Sequence, residues 1–84
     1  MRYTDYERIK SGSFCSVGKF GEKIYAFEIL TGIASAPVYH RISREEFDCF
    51  EDWKNSEDIL QEMTSRPAFC SAYRGYAEFD ETEL

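Results

Sequence analysis

An 84-residue chain makes one domain and buries only around 60–65% of its unfolded surface, which leaves little core to give up to a deep active-site cavity. Hydrophobic residues make up 43% of it, with seven Phe, six Tyr and one Trp, a content that repays the ordering entropy and excludes a disordered chain despite a formal net charge of −6. That charge is uneven: residues 1–42 hold six Lys/Arg against four Asp/Glu, whereas residues 43–84 hold four against twelve.

Thr4-Asp5-Tyr6-Glu7 has the form of a capping box, with Arg8 and Lys10 toward a C-terminal end and Gly12 able to terminate the turn. The pattern predicts a short helix over residues 4–10, with an edge strand as the alternative because Tyr3, Tyr6 and Ile9 fit a helical step only loosely. From Phe14 to Ile42 the period changes to two. Cys15 and Val17 alternate with Ser16 and Gly18, and Tyr25, Phe27 and Ile29 alternate with Ala26 and Glu28, which is strand behaviour. Gly21-Glu22 signals a tight turn between two antiparallel strands, Thr31-Gly32 with Ser35-Ala36-Pro37 marks the next reversal, and Val38, His40 and Ile42 share one face of a third strand.

Ser43-Arg44-Glu45-Glu46 is a second capping box, followed by Phe47, Phe50 and Trp53 at a spacing that puts three rings on one side of a helix running to Lys54. Ser56 caps a further helix with Glu57 and Asp58 in its first turn and Ile59, Leu60 and Met63 as its apolar stripe, and Arg66-Pro67 stops it. Phe69 to Phe79, interrupted by Gly75, reads as one bent strand or a pair that closes the sheet, and residues 80–84 as a frayed acidic tail. Residues 1–84 are therefore expected to form a single small α+β domain, an antiparallel sheet of about four strands with one or two helices packed on one face.

Cys15, Cys49 and Cys70 are odd in number and widely spaced, which fits free buried thiols in a reducing compartment such as the cytoplasm. The first residues are polar with no apolar leader, and no window approaches the roughly 18 apolar residues of a membrane span, so neither secretion by a signal peptide nor membrane insertion is expected. The three cysteines and His40 form a nominal zinc set, yet no pair has the close spacing of such sites. No loop suits calcium, and the glycines at 12, 18, 21, 32 and 75 are too scattered for a phosphate cradle. His40 paired with a Cys or with Asp48 lacks a Gly-rich elbow or a clear oxyanion donor. The expectation is no catalytic residue, no cofactor and no metal.

Glu45, Glu46, Asp48, Glu51, Asp52, Glu57, Asp58 and Glu62 place eight carboxylates within eighteen residues. On a Ser43–Lys54 helix, residues 45, 48 and 52 share one side with 46 and 51 flanking, away from the aromatic stripe. A helix rises about 1.5 Å per residue and duplex DNA carries one charge per roughly 1.7 Å, so such a face approaches nucleic-acid charge density and competes for basic clefts. These eight residues are the predicted partner-binding set. The plainer reading is that acids fill the first turns of two helices, where the dipole favours them, and form an ordinary solvated face. Tyr3, Tyr6, Tyr25, Tyr39, Tyr73 and Tyr76 exceed what a small core absorbs, and exposed Tyr suits a protein interface. The net charge argues against direct nucleic-acid binding through stacked aromatics.

Small size, acidic polarity, surplus aromatics and no catalytic constellation together resemble, in general character and through no shared motif, the small phage- or plasmid-encoded inhibitors of host defence nucleases, the anti-CRISPR and anti-restriction proteins. The resemblance implies stoichiometric, non-enzymatic inhibition of a basic, nucleic-acid-handling protein in the host cytoplasm. A bacterial immunity protein or antitoxin that neutralises a cationic nuclease is the alternative. A self-associating accessory subunit, pairing through an exposed sheet edge, is a further one, so both monomer and homodimer are open.

Overall fold

The structure is a computed structural model and describes residues 1–13, 15–31, 36–72 and 77–83. Phe14, the reversal expected at Gly32 to Ser35, Tyr73, the break at Gly75, Tyr76 and Leu84 lie outside the described residues. Within them the fold is α+β: one antiparallel sheet in sequence order, β1 (Tyr6–Ser11), β2 (Cys15–Phe20), β3 (Ile24–Thr31), β4 (Ala36–Arg41) and β5 (Ala68–Ser71), with α1 (Arg44–Asp48), α2 (Phe50–Trp53) and α3 (Glu57–Ser65) between β4 and β5. The described residues thus hold five strands rather than about four, and three helices rather than one or two.

The first element departs from the predicted helix. Residues Tyr3–Asp5 make a single 3-10 turn, in which the Asp5 carboxylate accepts from the Arg2 N–H at 2.8 Å, and the chain then runs straight into β1. A seven-residue helix gains little from its own hydrogen bonds, whereas pairing Tyr6 with Phe20 and Arg8 with Gly18 satisfies the backbone against a neighbouring strand. The edge-strand alternative is the observed one.

Period-two alternation sorts the sheet into two faces. Cys15, Val17, Tyr25, Phe27, Ile29 and Ile42 pack beneath the helices with Phe47, Phe50, Trp53, Leu60 and Met63. The β2–β3 hairpin closes on Phe20 opposite Ile24, with Gly21 at φ +67°, in the left-handed region that glycine enters at no steric cost. Ser43 caps α1 as its motif predicts: its Oγ accepts from the Glu46 N–H at 3.1 Å, and the Glu46 carboxylate accepts from the Ser43 N–H at 2.8 Å. The expected continuous helix to Lys54 is broken at Cys49, where the backbone leaves helical geometry. Trp53 Nε1 donates to the Glu46 carbonyl at 2.8 Å, the acceptor that an unbroken helix offers to the Phe50 N–H. Cys49 is consequently exposed, contrary to the expectation of three buried thiols, while Cys15 and Cys70 are buried.

The opposite face is covered as well, by chain ends rather than helices. Phe20 lies 5.0 to 5.5 Å from the rings of Tyr6, Tyr39, Phe69 and Phe79. Residues 77–79 are held against the first residues by Tyr3 N–H to the Ala77 carbonyl and Phe79 N–H to the Met1 carbonyl, both at 2.8 Å. The final segment is therefore a short strand, β5, followed by a return across this face, with an isolated bridge between Arg2 and Glu78. Glu81–Glu83 forms one 3-10 turn, which Asp80 steadies by accepting from the Thr82 N–H and hydroxyl.

Beside this aromatic layer sits a buried acid. Glu28 is 5% exposed and accepts from Arg8 Nη2 at 2.6 Å and Ser16 Oγ at 3.0 Å on one oxygen, and from the Tyr39 hydroxyl at 2.8 Å on the other. With the Ser16 proton directed at Glu28, the Tyr6 hydroxyl is the donor in its 2.7 Å contact with Ser16 Oγ. Burial is the main cause that pushes the Tyr6 and Tyr39 hydroxyls up from their ordinary value, so both remain protonated donors.

Two substitutions test this arrangement by urea denaturation. Glu28→Ala leaves the Tyr39 hydroxyl and Ser16 without their acceptor and should cost about 3 kcal/mol, whereas a loss below about 1 kcal/mol would show the network to be energetically idle. Gly18→Ala places a Cβ 2.0 Å from the Glu7 carbonyl oxygen, on the strand pair itself, and should cost about 3 kcal/mol by forcing β1 away from β2; unchanged stability would mean that β1 shifts freely.

Candidate interaction surface

The helical layer carries the predicted acidic set on three short elements instead of two helices. Glu45, Glu46 and Asp48 ride on α1, Glu51 and Asp52 on α2, and Glu57, Asp58 and Glu62 on α3. Burial of Phe47, Phe50, Trp53 and Met63 against the sheet turns seven of the eight carboxylates outward, and only Glu46 is half-buried. The break at Cys49 interrupts the single helical row expected for residues 45, 48 and 52, which are exposed on two separate helices, α1 and α2.

Each cation of the layer is already engaged. Arg44 lies 3.9 Å from Asp48 and Lys54 lies 2.6 Å from Glu51, whose carboxyl it holds below the usual range. Arg66 gives the Glu46 carboxylate a bidentate contact at 2.9 and 2.6 Å, bonds Glu62 at 3.0 to 3.1 Å, and donates to the Arg41 carbonyl at 3.2 Å. The Arg66 hydrogen bonds hold the Glu46 carboxyl at about 2. Glu45, Asp52, Glu57 and Asp58 are exposed and have no ion pair among the described residues.

Lys10 of β1 reaches across to the end of α1, donating to the Phe47 and Asp48 carbonyls at 3.0 and 3.3 Å with its ammonium 4.7 Å above the Phe47 ring. A cation thereby compensates the carbonyls that a five-residue helix leaves open.

Between α1–α2 and α3 runs a groove of about 510 Å³. Cys49, Trp53, Ile59 and Met63 line its floor, while Glu45, Glu46, Asp58 and Glu62 stand around it with Arg66. Ile59 is 40% exposed, so the predicted apolar stripe of α3 divides: Met63 enters the core, Leu60 is half-buried, and Ile59 faces the groove. Composition points to the acids, but not to this floor. The one available signal for its end wall is the four-residue step from Glu62 to Arg66.

The other candidates are placed elsewhere. His40 is buried beside Phe27, its Nδ1 2.8 Å from the Arg66 carbonyl, and burial lowers its pKa. Among the described residues no three His, Cys, Asp or Glu side chains are grouped to hold a metal ion. Of the six tyrosines, Tyr39 is buried and Tyr3, Tyr6 and Tyr25 are half-buried, all four packed into the two cores. No helix of the described residues is long and apolar enough to cross a membrane. No family model, no curated protein and no solved structure matches this chain.

The Arg66 clamp has a pH signature. Because the Glu46 pKa falls on folding from 4.5 to about 2, its contribution is fully present above pH 4.5 and is lost as pH falls through about 2. Discounted for partial exposure, that contribution is about 2 kcal/mol. Glu46→Gln should therefore be less stable than the parent by about that amount at neutral pH, with the difference closing as pH falls from 4.5 toward 2 in parallel chemical denaturations. A difference independent of pH would remove the ionic component. The lowered His40 pKa makes protonation below its ordinary value of 6.5 destabilising in both proteins and cancels from the comparison.

Proposed function

We propose that this chain is a non-enzymatic binding protein whose acidic helical layer sets itself against the Lys/Arg-lined surface of a nucleic-acid-handling protein in the cytoplasm, inhibiting a nuclease or a CRISPR-type defence complex by occupying the surface that holds DNA or RNA. The observation that supports this is the balance of charge within α1 to α3: Arg44, Lys54 and Arg66 are each committed to a carboxylate, and Glu45, Asp52, Glu57 and Asp58 remain exposed without partners among the described residues. Uncompensated carboxylates in one layer create a negative potential that steers a cationic surface and rejects nucleic acid itself. An immunity protein or antitoxin would use the same surface on a toxin nuclease.

Self-association has a specific structural candidate in the edge strand β1, where Ile9 is 46% exposed. That edge carries a bulge between Arg8 and Lys10 and three charges in six residues, Glu7, Arg8 and Lys10, which are devices that oppose edge pairing. The heterologous partner is the better-supported reading.

Replacing Glu45, Asp48 and Asp52 together with Lys changes exposed positions and moves the formal charge by six units, from −6 to zero. The folded state should lose less than about 1 kcal/mol. Capture from nuclease-treated bacterial lysate, followed by binding and inhibition assays on the purified partner, should yield a nucleic-acid-handling protein that the parent retains at low salt, releases at high salt and blocks stoichiometrically, and that the triple variant does not hold. Equal retention by parent and variant would sink the acidic-surface reading.

A further inference from the structure

Charge alone does not account for the groove between α1–α2 and α3. A solvated acidic face has no need of an open floor, yet here Ile59 stands 40% exposed beside Cys49, over Trp53 and Met63, in a space of about 510 Å³. That volume lies within the roughly 300–1,000 Å³ of sites that bury a ligand on apolar side chains with a few polar groups around them.

Three occupants differ in chemistry. Nucleic acid is repelled by Glu45 and Asp58, which line the groove from α1 and α3 and have no cation paired to them among the described residues. A second copy of this chain docking groove to groove would bring the same carboxylates against each other. A segment with both apolar and cationic side chains satisfies both features, because its apolar residues cover Ile59 while its Lys or Arg meet the carboxylates. Arg66 does not oppose it, since Glu46 at 2.6 Å and Glu62 at 3.0 Å already neutralise its guanidinium.

Resting on the reading that the helical layer binds a cationic partner, we propose that this groove receives a basic amphipathic helix of that partner. The apolar stripe of the helix covers Ile59 and Cys49, above the buried Trp53 and Met63, and its flanking Lys or Arg side chains pair with Glu45 and Asp58. Binding then has a component that salt does not remove, which separates it from surface mimicry of nucleic acid.

The test uses two synthetic peptides of equal length and equal positive charge, one with Leu at helical spacing among Lys residues and one with Ser replacing each Leu. Each is titrated into the intact chain and followed by amide and indole NMR, the indole of the single tryptophan, Trp53, reporting from the groove floor. The Leu peptide should bind at least about tenfold tighter, the scale of burying one large aliphatic side chain, and should shift Cys49, Ile59, Met63 and the Trp53 indole. Ile59→Gln, a polar replacement at an exposed helical position, should remove most of that advantage and leave the Ser peptide unaffected. The double variant Glu45→Gln, Asp58→Asn should weaken both peptides and flatten the salt dependence.

Equal affinity for the two peptides, or an Ile59→Gln variant that retains the full preference, overturns the groove assignment while leaving the charge-based reading in place. Binding of neither peptide at low salt overturns both. Sedimentation of the chain alone supplies the remaining outcome: a dimer that Ile59→Gln dissociates assigns the groove to a second copy and overturns the proposal, whereas a monomer supports the cationic partner.

Discussion

Within β3, Phe27 packs 5.8 Å from Trp53 on the helical side, and the next residue, Glu28, is buried in the opposite layer. A central strand flanked on both sides cannot leave either face to water, so its one buried carboxylate has to be satisfied by its neighbours. Arg8 of β1, Ser16 of β2 and Tyr39 of β4 supply those contacts, with Tyr6 donating in turn to Ser16, and a single acid thereby ties four strands together. No buried side-chain nitrogen or oxygen is left without a partner among the described residues. The network also fixes register, because a one-residue slip of β3 would carry Glu28 beneath the helices and Phe27 out of them.

The helical layer follows from the same two-sided burial. Phe47, Phe50 and Trp53 seal the face that Phe27 presents, and the indole completes its hydrogen bonding by taking the Glu46 carbonyl. That bond ends α1 after five residues and turns Cys49 outward beside the groove. Arg66 then joins α1 to α3 through Glu46 and Glu62 and reaches the end of β4 through the Arg41 carbonyl. Outside this clamp Asp48 and Glu51 pair with Arg44 and Lys54, and Glu45, Asp52, Glu57 and Asp58 stay exposed.

The two faces of the molecule therefore divide their polar chemistry. On the sheet side, acid, guanidinium and hydroxyls are consumed internally, and the tyrosine hydroxyls are held protonated by burial. On the helical side three cations engage four of the eight carboxylates, leaving unbalanced charge above an apolar floor. A small core has little room for a catalytic cavity, but a groove between helices costs it almost nothing.

Much of this architecture was legible in the residues. Gly21 between two alternating runs, the Ser43 capping box, the ring spacing at Phe47, Phe50 and Trp53, and the Ser56 cap each carry their own local geometry, so the β2–β3 hairpin and the starts of α1 and α3 follow from contacts a few residues apart. The acidic set was equally plain, since charge is read directly from composition. Residues 4–10 were not decided locally, because a seven-residue helix and an edge strand are both marginal until β2 offers its backbone. Alternation alone puts Glu28 on the face of β3 opposite Phe27, and its burial there depends on Arg8 twenty residues earlier and Tyr39 eleven later. The break at Cys49, the exposure of Ile59 and the Arg66 clamp across twenty residues to Glu46 likewise arise from packing between elements. Where elements start, which faces are apolar and where the charge lies follow from residues a few positions apart; which polar groups are buried and which apolar ones stay open follows from packing between elements, because both depend on partners that no local pattern brings together.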